Sequence, residues 1–233
     1  MAATALPSTG GTPAEEPVGC DVSDMYLVHG LLRLHFSDAP GLVAAVPDGS
    51  TERAGIISDH LEELAVTLHD HHETEDDVLW GQLEAKDPGC VIHTARMKAA
   101  HVEIGERLEA VRAALPAWRA SGGAAERTSV HAATEEVRTS LEKHLGDEEG
   151  NILPIASRSL TQAEWNRLGE VAQGKIPRAR LFVHLGFLLD SLPEAERSVF
   201  LKKELPAPLR GLWAIAGRRS YRKYRTRVYG EAA

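Results

Sequence analysis

Two short stretches of the sequence share one pattern: HHETE at residues 71–75 and HLGDE at residues 144–148. Each begins with a His and ends with a Glu four residues later. Four residues are about one turn of an α-helix, so the two side chains leave the same face of the helix. An imidazole nitrogen beside a carboxylate oxygen forms half of a metal-binding shell. The spacing therefore predicts a metal-type pair on each of two helices.

The repeat extends to a second His that precedes each stretch. His29 lies 42 residues before His71, and His101 lies 43 residues before His144. The two halves are offset by 72 residues for the first His and by 73 residues for the second His and the Glu. A Leu-Trp pair follows the first stretch and an Ile-Leu pair follows the second at the same distance. Because chance rarely keeps so many residues in register, we interpret the halves as two parts of one site.

Length and composition favour a helical fold. The 233 residues fit one domain, or one domain with a substantial appendage. Apolar residues make up 43% of the chain, which is enough for an ordinary core. Ala, Leu, Glu and Arg are abundant, which favours helix, and no run of alternating β-branched residues indicates a sheet. We therefore predict an all-α protein.

The net charge of -8 is unevenly distributed along the chain. Residues 202–233 carry nine Lys and Arg against two Glu, whereas residues 1–201 carry 17 basic and 32 acidic residues. A basic tail on an acidic body predicts that the tail docks on the body. The alternative is an anionic partner for the tail, but a basic run is most often a solvated face, and nucleic-acid binding is not favoured.

The sequence gives no sign of export or of membrane insertion. The two cysteines, Cys20 and Cys90, are too few for a disulfide framework or a thiolate metal site. No basic stretch followed by an apolar core marks the N-terminus. The longest nearly apolar stretch, residues 181–189, is too short to span a bilayer. The expected location is the cytoplasm, and no membrane association is expected.

Three parts are predicted along the chain. Residues 1–20 form a flexible leader, residues 21–156 a four-helix domain, and residues 157–233 a helical C-terminal appendage with a basic tail. Pro40 is expected to bend or break the first helix, and the buried stripe of the third is expected to begin at Ile92. The four helices are predicted at about residues 21–46, 51–83, 91–120 and 124–152.

Four long amphipathic helices joined by short turns predict an antiparallel, up-and-down four-helix bundle. Two buried Glu side chains without Lys or Arg one turn later need cations, and two metal ions would supply them. Nitrogen and oxygen ligands without thiolate suit iron, manganese or zinc. Six side chains on two ions leave positions open for a small molecule. The predicted ligands are His29, His71, Glu75, His101, His144 and Glu148.

These motifs resemble the hemerythrin-like proteins, which carry the HHE cation-binding domain. The resemblance covers roughly residues 22–156 and includes the two stretches, their upstream His residues and the apolar flanks. It implies a non-haem centre of two iron ions, bridged by an oxo or hydroxo group, with the six predicted residues as ligands. Manganese and zinc become the less favoured metals. The Glu-x-x-His pairs of ferritin-type bundles and the His-Glu-x-x-His of zinc proteases are both absent.

One position departs from the family pattern. Oxygen-carrying hemerythrins have a second His one turn after the third-helix ligand, where this sequence has Gly105. The difference leaves one iron with an additional open coordination position, unless water or Tyr26 fills that position. The expected function is therefore binding of O2 or reaction with peroxide or nitric oxide, and a catalase- or peroxidase-like activity is one of the alternatives. The alternative is an iron-buffering or redox- and gas-sensing module without turnover. The oligomeric state is not determined by the sequence.

The remaining polar residues near the motifs have simpler interpretations. His69 and His72 flank the first motif and are expected either to support the ligands or to lie at the surface, and the surface position is favoured for both. Asp76 and Glu149 follow the two ligand Glu residues and are expected to be solvated or to support the ligands. Five other His residues have no paired carboxylate in register and are interpreted as ordinary core or surface residues: His35, His60, His93, His131 and His184.

Overall fold

The computed structural model describes residues 17–230, and this part of the chain is almost entirely helical. It contains no strand, only isolated bridges from Val18 and Gly19 to Thr161. The predicted all-α class is confirmed. Residues 1–16 of the predicted leader lie outside the described part. The amides of Gly19 and Cys20 donate to the carbonyls of Leu160 and Ser157, at 2.8 and 3.0 Å.

Four long helices carry the two halves of the repeat, and each packs against two of the others. The helices are α1 Ser23–Ala44, α2 Thr51–Thr74, α3 Trp80–Lys86, α4 Val91–Ser121 and α5 Ala124–Asn151. Helix α1 contacts α2 and α5, and α4 also contacts α2 and α5. Arg33 on α1 pairs with Glu142 on α5, and Arg107 on α4 pairs with Glu136 on α5. A π-helical turn, Glu75–Leu79, joins α2 to α3.

One detail of the helix prediction is wrong, and of the two outcomes expected at Pro40, a bend or a break, the structure excludes the break. Helix α1 does not break at Pro40, which lies inside it, because Ala39, Pro40 and Val43 are buried in the core and their packing offsets one lost backbone hydrogen bond. Ile92 is 69% exposed. It lies five residues before Met97, which places it about 140° around the helix from the buried stripe. The stripe continues instead through Thr94, which is buried.

The rest of the described chain forms a helical appendage. A reciprocal capping box between Thr161 and Glu164 begins its second helix. No helix within residues 17–230 combines the length and the apolar composition needed to cross a membrane. The appendage helices are α6 Leu153–Ser159, α7 Gln162–Lys175, α8 Leu181–Asp190, α9 Glu194–Glu204, α10 Ala207–Leu212 and α11 Arg218–Tyr229, with a π-helical turn, Trp213–Gly217, before α11.

The basic tail docks on the acidic body, as the charge distribution predicted. Helix α11 packs against α2 and α8. Arg225 pairs with Asp190 at 3.1 Å, and Arg227 pairs with Asp59 at 3.0 Å. These exposed pairs contribute little free energy, so the buried contacts of α11 must carry most of the docking.

Two buried His residues form part of this docking surface. Tyr229 Oη hydrogen bonds with His35 Nδ1 at 3.1 Å, and Tyr224 Oη with His60 Nδ1 at 2.8 Å. Burial lowers the pKa of His35 to about 4 and that of His60 to about 3. Both imidazoles are therefore neutral at physiological pH. They are core residues, one of the interpretations that the sequence left open.

Gly186 lets α11 approach α8 closely, and its replacement by Ala should release the tail. A Cβ at this position would overlap the ring of Tyr221. Overpacking of this kind costs about 1–3 kcal/mol, so we expect Gly186→Ala to lower the free energy of unfolding by that amount and to expose α11 to proteolysis. Gly169→Ala is the control, because nothing lies within 4 Å of a Cβ there. Equal stability of the two variants would contradict the proposed packing.

Two apolar clusters lie along the four long helices, one on each side of the repeat motifs. The larger includes Leu32, Leu68, Ile104 and Leu141 and continues into the appendage. The smaller cluster has a member beyond the motif on each long helix or its continuation. Those members are Met25, Leu79, Met97 and Ile152. The motif residues therefore form a polar layer between two apolar regions.

Candidate metal centre

The polar layer contains all six predicted ligands and one further His. Helix α1 supplies His29, α4 supplies His101, and α5 supplies His144 and Glu148. The remaining three are at the end of α2 and the start of its π-helical turn: His71, His72 and Glu75. All of these side chains are almost inaccessible, and the most exposed of the six predicted ligands is His71, at 10%.

Each Glu lies between His residues from two helices. Glu75 Oε1 is 3.3 Å from His71 Nε2, and Glu75 Oε2 is 3.4 Å from His101 Nε2. In the second half, Glu148 Oε2 is 3.5 Å from His29 Nε2 and 3.6 Å from His144 Nε2. The sequence repeat thus corresponds to an approximate two-fold arrangement. In each half of it, one carboxylate lies between two imidazoles that come from different helices.

His72 belongs to this layer, and the favoured surface position for it is wrong. It is 5% exposed, its ring stacks on that of His101 at 4.0 Å, and its centroid is 4.9 Å from that of His144. Helical periodicity could have identified it, because it follows Leu68 by four residues and precedes Leu79 by seven on the buried face. His69 is exposed, as expected.

The repeat is not symmetric at this position. Residue 145 is offset from His72 by the same 73 residues that separate the two ligand Glu residues, and it is a buried Leu. Only one half of the site therefore gains an additional imidazole. The potential ligand atoms form two groups, each within 4.8 Å: one of His72, His101 and His144, and one of His29, His71, Glu75 and Glu148.

The two carboxyl groups are strongly perturbed in the metal-free chain. Burial and the nearby Glu148 carboxylate raise the pKa of Glu75 well above its usual value, and burial raises the pKa of Glu148. Burial and the neighbouring imidazoles lower the pKa of His71 and His72 well below 6.5, and that of His144 to about 3. Burial thus shifts Glu75 and Glu148 towards their protonated forms, since no cation compensates the carboxylates, and shifts His71, His72 and His144 towards their neutral forms.

Most ligand-type atoms of the layer are buried without a hydrogen-bond partner among the described residues. They include both carboxylate oxygens of each Glu and the Nε2 atom of each of the five His residues. Such groups are costly to bury unless something binds them. Divalent cations suit this set of imidazole nitrogens and carboxylate oxygens, so the residues present fit a metal centre.

The acids that follow the two ligand Glu residues orient two of the imidazoles. Asp76 Oδ1 is 2.8 Å from His101 Nδ1 and accepts from Trp80 Nε1 at 2.7 Å. Glu149 Oε1 is 2.9 Å from His29 Nδ1. A carboxylate at Nδ1 favours the tautomer whose Nε2 lone pair is free to bind a metal ion. Asp76 and Glu149 therefore support the predicted ligands.

Glu149 is itself held as an anion. Arg33 donates to its two oxygens at 2.6 and 3.1 Å. Burial alone would raise the pKa of Glu149, but the hydrogen bonds from His29 and Arg33 lower it to about 2. The orientation of His29 is therefore maintained over the whole physiological pH range.

Removing the Glu149 carboxylate should weaken metal binding without abolishing it. Loss of such an orienting partner typically costs about 10- to 100-fold in metal affinity, and we expect a decrease of that size for Glu149→Ala in competition with a chromophoric chelator. Glu142→Ala is the matched control, because Glu142 also contacts Arg33 but not His29. An affinity equal to that of the wild-type protein would contradict the orienting role.

The helix geometry changes at or within one turn after each ligand Glu. The π-helical turn begins at Glu75 in the first half, and α5 ends three residues after Glu148 in the second. Insertions of π-helix are frequent at functional sites because they change the direction of side chains within a helix. The sequence contains no clear signal for this turn.

The departure at Gly105 is also explained in part by the structure. Space is open there, since nothing lies within 4 Å of a Cβ. Tyr26, the expected alternative to water at the open position, is 46% exposed. The additional imidazole in this part of the layer instead comes from α2, as His72 beside His101 and His144.

A buried layer of His and Glu residues across four long helices is typical of helical metal-binding proteins. The profile of the hemerythrin HHE cation binding domain matches residues 21–156, which is more than half of the chain. The chain therefore belongs to the hemerythrin HHE cation-binding family, and the resemblance inferred from its motifs is confirmed. No curated protein and no solved structure matches the chain significantly.

Proposed function

We propose that the protein is a non-haem di-iron protein that binds or reacts with O2, peroxide or nitric oxide. We further propose that its four long helices form an antiparallel up-and-down bundle around this centre. One observation carries the proposal: two buried carboxylates lie between five imidazoles, and their oxygens and the Nε2 atoms have no other partner among the described residues.

The two ligand groups suggest how two ions would be held. His29 and His71 would bind one ion, and His72, His101 and His144 would bind the other. Glu75 and Glu148 would be shared, because their oxygens lie 3.3–3.6 Å from imidazoles of both groups. Two divalent ions would also compensate the negative charges of the two buried carboxylates. This assignment adds His72 to the six ligands expected from the sequence.

The family resemblance, rather than the donor set, favours iron over manganese and zinc. Imidazole and carboxylate without thiolate suit iron, and the family resemblance implies two iron ions. When bound, iron supplies redox chemistry and open coordination positions for an oxygen- or nitrogen-containing small molecule. Manganese or zinc would satisfy the same side chains, so the metal has to be measured.

Burial limits the substrate to very small molecules. The predicted ligand side chains are at most 10% exposed, and His71 is the most accessible of them. O2, nitric oxide and hydrogen peroxide are small enough to reach such a site through minor fluctuations, whereas a larger organic substrate is not. The apolar clusters on either side exclude bulk water from the layer.

The chain also positions groups that can hold protons near the centre. Asp76 and Glu149 fix the Nδ1 atoms of two His residues, which keeps their Nε2 atoms directed at the site. Without a metal, burial shifts Glu75 and Glu148 towards their protonated forms. Metal binding is therefore expected to release protons from these carboxyl groups.

Metal analysis with ultraviolet-visible spectroscopy tests the proposal. We expect about two irons per chain and ligand-to-iron charge-transfer bands that change on addition of peroxide or nitric oxide. A protein without metal after reconstitution with iron(II), or with one zinc and a featureless spectrum, would contradict a di-iron function.

Turnover separates the proposed activity from the alternative, an iron-buffering or sensing module. Rapid, repeated decomposition of peroxide would identify an enzyme of the catalase or peroxidase type. Saturable binding of O2 or nitric oxide without turnover would identify a binding or sensing protein. Folding that depends on metal, with no reactivity, would favour buffering or a structural metal. The cytoplasmic location and the division at residues 1–20, 21–156 and 157–233 stay predictions.

A further inference from the structure

A second site-like feature lies in the appendage, separate from the metal centre. It is a cavity of about 930 Å³ that opens to solvent. Its walls come from α1, α8, α9 and α11 and from the segment that connects α9 to α11. Pockets for small molecules typically measure about 300–1,000 Å³, so this cavity has room for a ligand as large as a nucleotide.

The cavity wall is strongly cationic, and five of its six cations have no ion-pair partner within residues 17–230. Three of these five also make no side-chain hydrogen bond there: Lys202 on α9 and Arg218 and Arg222 on α11. Arg218 and Arg222 are separated by four residues, so they lie on one face of the helix. Lys202 lines the same cavity because of how α9 and α11 are placed, and not because it is close to the two Arg residues in the sequence.

Three further guanidinium groups on the wall are held in place by hydrogen bonds. Arg197 Nε donates to the carbonyl of Leu192 at 3.1 Å. Arg210 Nη1 donates to the carbonyl of Leu205 at 2.7 Å. A guanidinium has five N–H donors, so each keeps several for a ligand after making such a bond. Arg225, paired with Asp190, is the third.

The acidic residues on the wall do not neutralise this charge. Asp190 is already engaged, since Tyr221 Oη donates to it at 2.6 Å and Arg225 Nε at 3.1 Å. Burial raises the pKa of Asp38. Glu194 is the remaining carboxyl group on the wall, at the exposed start of α9. Six cationic side chains against these three leave a site whose chemistry favours an anion.

We propose that this cavity binds a small molecule with two or more phosphate groups, of about nucleotide size. Planar guanidinium groups match phosphate oxygens in bidentate geometry, and Arg and Lys together neutralise several negative charges. The apolar wall residues Leu189 and Leu201 provide a surface for the uncharged part of the ligand. This proposal does not depend on the function of the metal centre.

Helix α11 provides a matched comparison for a test. Arg218 and Arg222 line the cavity, whereas Arg219 and Lys223 lie one residue further along the same helix and do not line it. Both pairs are exposed and carry the same charge. The double variants Arg218→Ala/Arg222→Ala and Arg219→Ala/Lys223→Ala therefore remove equal charge from inside and outside the proposed site.

Calorimetric titration of the full chain with ATP, pyrophosphate and inorganic phosphate measures the binding. We expect ATP and pyrophosphate to bind more tightly than phosphate. The Kd should rise by more than about tenfold in the Arg218/Arg222 variant and by less than about twofold in the Arg219/Lys223 variant. Absence of ATP and pyrophosphate binding, or equal losses in the two variants, would overturn the proposal.

Two additional measurements keep the result interpretable. Lys202→Ala, compared with Lys203→Ala outside the cavity, tests the opposite wall in case the α11 variants lose their packing. Vesicles of phosphatidylcholine with and without phosphatidylglycerol test whether the phosphate belongs to a lipid headgroup. Capture that is lost only in the cavity variants would place a headgroup in the cavity. Capture that is weakened equally by both pairs would show adhesion by a charged surface and would overturn the proposal.

Discussion

Glu148→Gln is expected to reduce the metal content from about two ions per chain to less than about one, the largest change we predict for a single residue. Glu148 lies between His29 and His144, and its carboxylate is one of the two groups that both ions would share. Gln has nearly the same shape, but it is neutral and offers one acceptor oxygen in place of two. Metal analysis after reconstitution with iron(II) measures the effect.

The same substitution should leave the metal-free fold intact. Burial raises the pKa of Glu148 in the folded chain, so ionisation of this group opposes folding when no cation is present. A neutral amide removes that cost. We therefore expect the free energy of unfolding of the metal-free variant to equal or exceed that of the metal-free wild-type protein at pH 7–8, as measured by urea denaturation.

This pair of results distinguishes a metal ligand from a structural residue. Glu136→Gln on the same helix is the control, because the Glu136 side chain is 63% exposed and contacts Arg107 at the surface. It should retain the full metal content. A Glu148→Gln variant with two ions per chain would show that the site is wrongly assigned.

The polar layer could be predicted from the sequence because its signal is local and repeated. A His and a Glu four residues apart on a helix share a face whatever the rest of the fold does. The register of the two halves then required the helices to meet at one level. The structure places all six of the predicted residues there, between two apolar clusters. Whether they bind metal is decided by experiment.

Other features depended on contacts between distant parts of the chain. His60 contacts the tail through its hydrogen bond with Tyr224, which is 164 residues away in the sequence, and no spacing rule relates the two residues. The cavity likewise needs α1 and α11 side by side. His72 is a different case, because periodicity indicated a buried position but its neighbour His71 already satisfied the motif. The sequence showed that one His of the pair was a ligand-type residue, and not that both were.

Removal of the metal ions is expected to lower the free energy of unfolding by more than about 4 kcal/mol at pH 7. An ion that binds only the folded chain, at a free concentration about a thousand times its Kd, contributes about that much. Treatment with a chelator followed by urea denaturation measures the difference. A metal-free protein as stable as the loaded one would place any bound metal outside the buried layer.

The pH dependence of this difference identifies the groups responsible. In the metal-free chain, burial raises the pKa values of Glu75 and Glu148, so the folded state keeps protons that the unfolded chain loses above its ordinary Glu pKa of 4.5. Stability from these groups is therefore lost as the pH rises from 4.5 towards their folded pKa values. Bound cations compensate the carboxylates, so this loss should disappear in the loaded protein.

The His residues of the layer act in the opposite direction. The pKa of His144 is lowered to about 3, so below pH 6.5 the unfolded chain takes up a proton that the folded state rejects. Stability from this group is lost between pH 6.5 and about 3, and protonation also competes with metal. His60, away from the layer, shows the same acid loss in both forms, and its contribution cancels in the comparison. The stability gained from metal should therefore be larger at pH 8 than at pH 5.5. A gain independent of pH would mean that neither the carboxylates nor the imidazoles of the layer bind the metal.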